Sequence, residues 1–125
     1  MTLEAFNRFC ADLPHATHVI QWGGSDVWKI GGKVFAIAGW GDVRHAEANH
    51  FAVSFKVSPK GFDILRDHPD CRPAPYLASR GMKWIQYYRG AEMSDSDLLD
   101  HVTRSYEIVA SGLSKTLQKE LGLLA

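Results

Sequence analysis

The side chains able to do chemistry fall into a few small groups. His15 and His18 could be read as a metal pair, yet they follow Pro14 at a loop-to-strand junction. No third ligand stands at a useful spacing. His45 and His50 flank Glu47 in a polar stretch and read as exposed loop residues. Cys71 has Asp70 and Arg72 beside it and His68 nearby. A nucleophilic thiol needs a positioned base and a lowered pKa, and adjacency in a Pro-rich loop supplies neither. Ser105 and Tyr106 fall in the middle of a helical pattern. A tyrosine on a buried stripe is a core residue with a bonded hydroxyl, and a neighbouring serine allows close packing. The run GGSDVWKIGGK, residues 23–33, ends in a lysine, but no helix follows it. It therefore lacks the helix N-terminus that makes a glycine loop hold phosphate, and its glycines are turn residues. One group remains. Lys29, Lys56 and Lys83 fall among Trp28, Trp84, Tyr87 and Tyr88 in strand-like segments. If helices cover only one sheet face, the other exposes cations and flat rings together. Lysines meet phosphates and rings stack on bases, so such a face suits a nucleic-acid strand. The competing reading makes Trp84 and Tyr87 core and leaves the lysines to solubilise an open face.

The elements that position these residues are well marked. DVWKI and KVFAIA flank Gly31-Gly32, and a Gly-Gly pair supplies the positive φ angles of a two-residue hairpin turn. In FAVSFKV, residues 51–57, Phe51, Val53, Phe55 and Val57 point one way and Ala52, Ser54 and Lys56 the other. Thr2 caps a helix that runs to about Leu13, with Leu3, Phe6, Phe9, Cys10 and Leu13 at helical spacing, and Pro14 closes it. THVIQW, residues 17–22, is a short strand, and residues 41–50 form a polar connection. Ser58-Pro59 starts a helix over about 60–67 that buries Phe62, Ile64 and Leu65 in part. DHPDCRPAP is a loop, 76–79 a short strand, and MKWIQYYR a strong one. Ser94 caps the last long helix, whose stripe is Leu98, Leu99, Val102, Tyr106 and Val109. Gly112 ends it, and Ser114 caps a short final helix. The expected fold is α+β: a two-layer sandwich with helices on one side of an antiparallel sheet, in the order α–β(3–4)–α–β(1–2)–α.

A chain of 125 residues is one domain by size, long enough for a real core. Its 14 basic and 14 acidic residues cancel, which argues against a strongly polyelectrolyte partner. The balance hides a bias. Residues 56–89 carry seven basic against three acidic side chains, net +4, and residues 90–125 carry three against six, net −3. Cys10 and Cys71 form no framework and suit a reducing cytosol. The N-terminus lacks a signal-length apolar run, and no stretch approaches a membrane span. The expectation is a cytoplasmic protein, a monomer or weak dimer, with no membrane contact, metal or cofactor.

The order of these strings resembles the MmcQ/YjbR family of small bacterial proteins. Trp22-Gly23 precedes the hairpin and Gly32-Lys33-Val34-Phe35-Ala36 lies in it. Lys56 then ends the alternating strand before a Ser-Pro-started helix, and Lys83-Trp84-Ile85 opens the late strand. The acidic helix start leads to Ser105-Tyr106-Glu107-Ile108-Val109. The resemblance covers almost the whole chain. It implies a fold similar to frataxin-like and secretion-chaperone-like sandwiches, and DNA binding through a double-wing arrangement of hairpins. It supplies no catalytic residues, so the chain is expected not to be an enzyme. Wing one would be the 26–37 hairpin with Lys29 and Lys33 about its tip. Wing two would be the 76–89 region with Arg80 and Lys83 near its turn. The candidate nucleic-acid contacts are therefore Lys29, Lys33, Lys56, Arg80, Lys83 and Trp84. Two alternatives stand beside this reading. One is a protein-interaction or chaperone-like domain that binds a protein partner through its sheet or a helix. The other is a small-molecule pocket built from Trp28, Lys56, Trp84 and Tyr106.

Overall fold

A computed structural model of the chain describes residues 1–39, 52–75, 77–90 and 92–123. Helix α1 (Leu3–Ala11) is followed by strands β1 (Ala16–Gln21), β2 (Ser25–Ile30), β3 (Lys33–Ala38) and β4 (Val53–Lys56). Helix α2 (Pro59–Leu65), strands β5 (Cys71–Pro73) and β6 (Trp84–Tyr87), and helices α3 (Asp95–Ser111) and α4 (Lys115–Glu120) complete the order. All pairings are antiparallel, in one six-stranded sheet ordered β1-β2-β3-β4-β6-β5. Four helix starts are capped alike: the hydroxyls of Thr2, Ser58, Ser94 and Ser114 each accept from the backbone N–H three residues on.

The helices pack on one face of the sheet. Phe6 and Cys10 of α1, and Leu98, Val102, Tyr106 and Val109 of α3, bury against Ile30, Phe35, Val53, Phe55, Ile85 and Tyr87. The alternation expected for Val53, Phe55 and Val57 holds: all three face this core. Tyr106 closes it by donating its hydroxyl to the Pro14 carbonyl at 2.7 Å, while its ring meets Phe35 edge-on. The buried Ser105 hydroxyl lies against the Lys56 and His101 carbonyls, which ties α3 to the end of β4.

Several expectations need correcting. Residues 71–73 are a strand, not loop: β5 is an edge strand, where Pro73 owes the ladder no N–H. The short strand expected at 76–79 is a 3-10 turn over Ala78–Arg80, ended by Gly81 in the left-handed region. Ile64 is 63% exposed, because α2 turns only Phe62 and Leu65 inward. Among the described residues no long helix covers the second sheet face, yet it is not open. The β5–β6 connection folds over it, so that Ala74 and Leu77 pack with Val27, Val34, Ile37 and Trp84 in a smaller apolar cluster. Phe51, the 41–50 connection with His45, Glu47 and His50, and Tyr76 lie outside the described residues.

Candidate functional site

Four separate parts of the chain converge at one end of the sheet. The Gly31-Gly32 turn, with φ of 58° and 80°, delivers Lys33 and Val34 to the start of β3. On β4, Lys56 lies directly opposite Trp84 of β6, so both side chains share the second face. The 3-10 turn brings in Leu77 and Arg80, and Met82 leads into β6. Its geometry is held by backbone bonds: Gly81 N–H donates to Ala78 O at 3.0 Å and Met82 N–H to Leu77 O at 3.2 Å. The last turn of α3 supplies Ile108 and Val109 to the rim, followed by Leu113.

Together these residues enclose a cleft of about 770 Å³, a size usual for ligand sites. Its walls are apolar: Val34, Ile37, Leu77, Val109, Leu113 and Trp84. Among the described residues its charged lining is Lys33, Lys56 and Arg80, with no carboxylate. Trp22, 52% exposed, lines the same cleft and holds a left-handed φ of 51°, an uncommon conformation for a bulky residue. The Trp84 ring is 97% buried, being 3% exposed. Its Nε1–H is buried and has no acceptor among the described residues. A buried donor without an acceptor costs about 1–3 kcal/mol.

The six candidate contacts thus divide. Lys33, Lys56, Arg80 and Trp84 meet in the cleft. Lys83 sits next door, in a groove shared with Lys56, Met82 and Trp84, its ammonium 4.7 Å from the centre of the Phe62 ring. Lys29 is half-buried opposite Val34 and is not among the cleft's lining residues. Of the two readings of these rings, the one that makes Trp84 and Tyr87 core residues holds: both are buried, and so is Trp28. Trp28 and Tyr87 face the helices and Trp84 lies under the β5–β6 connection. A pocket uniting Trp28, Lys56, Trp84 and Tyr106 does not form. Trp28 donates to Asn7 Oδ1 at 2.9 Å, and Tyr106 is committed to Pro14. The first hairpin is also no free wing, since its tip is packed against Leu113 and Leu117.

Sequence reasoning passed over Trp22, whose signal was an aromatic residue stranded between a strand and a Gly-Gly turn. It also missed Leu77 and the end of α3, whose approach depends on sheet order.

The other polar groups hold the fold. His18 Nε2 and Asp26 Oδ1 lie 2.7 Å apart, and Asn7 Nδ2 also donates to that carboxylate, at 3.3 Å. The His18 ring packs on Trp28 at 4.8 Å. Asp70, fully buried, accepts from the N–H groups of Glu92 and Met93 at 2.7 and 2.6 Å and anchors the approach to α3. Burial pushes the thiols of Cys10 and Cys71 up to about 12, Asp70 adding to the rise at Cys71; neither forms a thiolate at neutral pH. No group of three or more His, Cys, Asp or Glu side chains able to hold a metal ion occurs among the described residues. No helix there is long and apolar enough to cross a membrane.

Known proteins share this architecture. The uncharacterised protein YbdF of Escherichia coli O157:H7 is 28% identical over 120 residues, covering 94% of this chain and 92% of its own. The crystal structure of the Deinococcus radiodurans protein DR2400, which carries the DUF419 domain, superposes with a TM-score of 0.79 at 24% identity. That match covers 97% of this chain and 88% of the other. A Pseudomonas syringae protein gives a TM-score of 0.70 at 16% identity over 87% and 99% of the two chains. These two likenesses are of fold. The YjbR family model matches residues 11–108, a span from the end of α1 to the rim of the cleft, and the chain belongs to the YjbR family.

Proposed function

We propose that this protein is a non-catalytic nucleic-acid-binding module that holds a single strand across the mouth of the cleft. The observation that carries the reading is the convergence of Lys33, Lys56 and Arg80 on one cleft, with no carboxylate lining it among the described residues. Lys83 extends the row through the adjoining groove. Lys33 belongs to the first expected wing and Arg80 to the second, so the two meet at one mouth instead of projecting apart. The phosphates of a strand lie along these cations, and Trp22 brings an aromatic side chain to the same lining. A flexible single strand can bend its phosphates to cations gathered at one mouth more readily than a stiff duplex can. The raised thiol pKa values favour the absence of cysteine catalysis.

Fluorescence anisotropy with labelled single- and double-stranded DNA at about 50 mM salt, where phosphate contacts are strong, tests this. The expected result is saturable binding, tighter for the single strand, and abolished by Lys33→Glu with Arg80→Glu. Unchanged affinity in that variant would refute the assignment.

A second reading, a protein-docking domain, is favoured by β1. It is an edge strand of six residues with no proline or lysine to blunt it, and Ile20 within it is 64% exposed. This reading expects a concentration-dependent dimer in sedimentation that Ile20→Lys removes; a monomer at all concentrations argues against self-pairing there.

A further inference from the structure

The cleft's interior has a chemistry that its cationic mouth alone does not explain. Val34, Ile37, Leu77, Val109 and Leu113 supply wall with no hydrogen-bonding side chain, which gives a nucleobase little to pair with. A base brings several donors and acceptors into a site, and each one left unmatched opposes binding. The polar features of this interior are local and of one sign. Lys56 and Trp84 are direct cross-strand neighbours on the second face, and the Trp84 Nε1–H is buried with no acceptor among the described residues. The Lys56 ammonium and the Trp84 N–H thus belong to paired residues of one cleft lining, and both are donors that an anionic head can match. Arg80 and Lys33 add positive charge to the same lining, and no carboxylate among the described residues there competes for it.

We propose that the cleft binds a small organic anion with an apolar body, its acidic head at Lys56 and Trp84 and its body along Val34, Ile37, Leu77 and Leu113. Carboxylate and phosphate monoester heads share the required chemistry: at least two acceptor oxygens and negative charge. The apolar body accounts for walls that nucleic-acid binding at the mouth leaves unused. The inference does not rest on that binding, although both use Lys56.

The test is calorimetric titration of the full chain with octanoate, octyl phosphate, acetate and 1-octanol. Octanoate or octyl phosphate is expected to bind at least about tenfold more tightly than acetate, which lacks the body, and than 1-octanol, which lacks the charge. One charge-assisted hydrogen bond is enough for a ratio of that order. Whichever head binds better identifies the source, carboxylate or phosphate, and either outcome supports the proposal. Lys56→Met should lower the affinity about tenfold, and Trp84→Phe, which keeps a ring but removes the N–H, should lower it several-fold. Both variants are checked first for an unchanged fold by near-ultraviolet circular dichroism. Equal binding of 1-octanol and octanoate, or undiminished octanoate binding in Lys56→Met, would overturn the proposal. Octanoate binding without DNA binding would leave this inference standing and remove the nucleic-acid reading; DNA binding without octanoate or octyl phosphate binding would do the reverse.

Discussion

Replacing Gly31 by alanine probes whether the first hairpin is clamped to the helices or free to act as a wing. Gly31 and Gly32 both hold positive φ, 58° and 80°, so alanine at either carries the left-handed penalty, about 1–2 kcal/mol. Part of it is offset by about 0.4–1 kcal/mol from the stiffer unfolded chain. The two positions differ in what a new methyl meets. At Gly32 nothing lies within 4 Å. At Gly31 a Cβ would sit 2.6 Å from Leu113 Cδ1, 3.0 Å from its Cδ2 and 3.1 Å from Leu117 Cδ2. Leu113 is packed in the core on one side and lines the cleft on the other, so its methyls and that of Leu117 must shift together to make room, and overpacking of this kind costs about 1–3 kcal/mol. Gly31→Ala should therefore be less stable than Gly32→Ala by that amount. With an unfolding entropy near 2.1 cal/mol/K per residue, a chain of this length loses roughly 4 °C of Tm per kcal/mol, so the two variants should melt about 4–12 °C apart. Thermal unfolding followed by circular dichroism reads the difference directly. Equal melting temperatures would show that the tip is not seated on the α3–α4 junction, and would restore it as a projecting wing.

The remaining predictions concern the core and its titrating groups. Phe55→Ala removes a fully buried ring from the centre of the sheet and should cost about 3–5 kcal/mol in urea unfolding; a loss under about 1 kcal/mol would contradict that burial. Burial, with Arg104 next in effect, lowers the His101 pKa from its ordinary 6.5; Asp97 and Asp100 oppose the shift and His68 adds to it. Between the folded and unfolded values the unfolded chain binds more protons, so the contribution is intact above about pH 6.5 and is lost as pH falls through the lower folded value. The drop in Tm from about pH 7 to about pH 5.5 should be smaller in His101→Gln than in the parent, and an identical drop would remove His101 as a cause. With both thiols raised to about 12, iodoacetamide at about pH 8, near the ordinary thiol pKa, should label Cys10 and Cys71 in denaturant but scarcely in the folded chain. Rapid labelling of the folded chain would show that a thiol is exposed.

Much of the scaffold was legible because it rests on local chemistry. Hydroxyl caps at Thr2, Ser58, Ser94 and Ser114 each satisfy an N–H three residues along the chain. The strict alternation through Val53, Phe55 and Val57 admits only one buried face. β5 was hidden because Pro69, Pro73 and Pro75 mark a loop unless the segment is known to lie at an edge, and edge position is set by tertiary packing. The same non-local fact hid the cover of the second face. Along β6 the pattern separates Trp84 and Gln86 from Ile85 and Tyr87, but periodicity cannot tell which side another segment will cross. The cationic residues were therefore visible as types and their meeting place was not. Lys33 and Lys56 meet because β3 pairs with β4, and Arg80 joins them because β6 pairs with β4 on its other side.

The most direct test of the nucleic-acid reading is the salt dependence of single-stranded DNA affinity. Four contacts, at Lys33, Lys56, Arg80 and Lys83, give a log–log slope of about −2.8, or roughly twentyfold weaker binding at about 150 mM than at about 50 mM salt. Arg80→Ala should flatten the slope to about −2.1 and the ratio to roughly tenfold. A parent slope near zero, or an Arg80→Ala slope equal to the parent's, would contradict strand binding at this mouth.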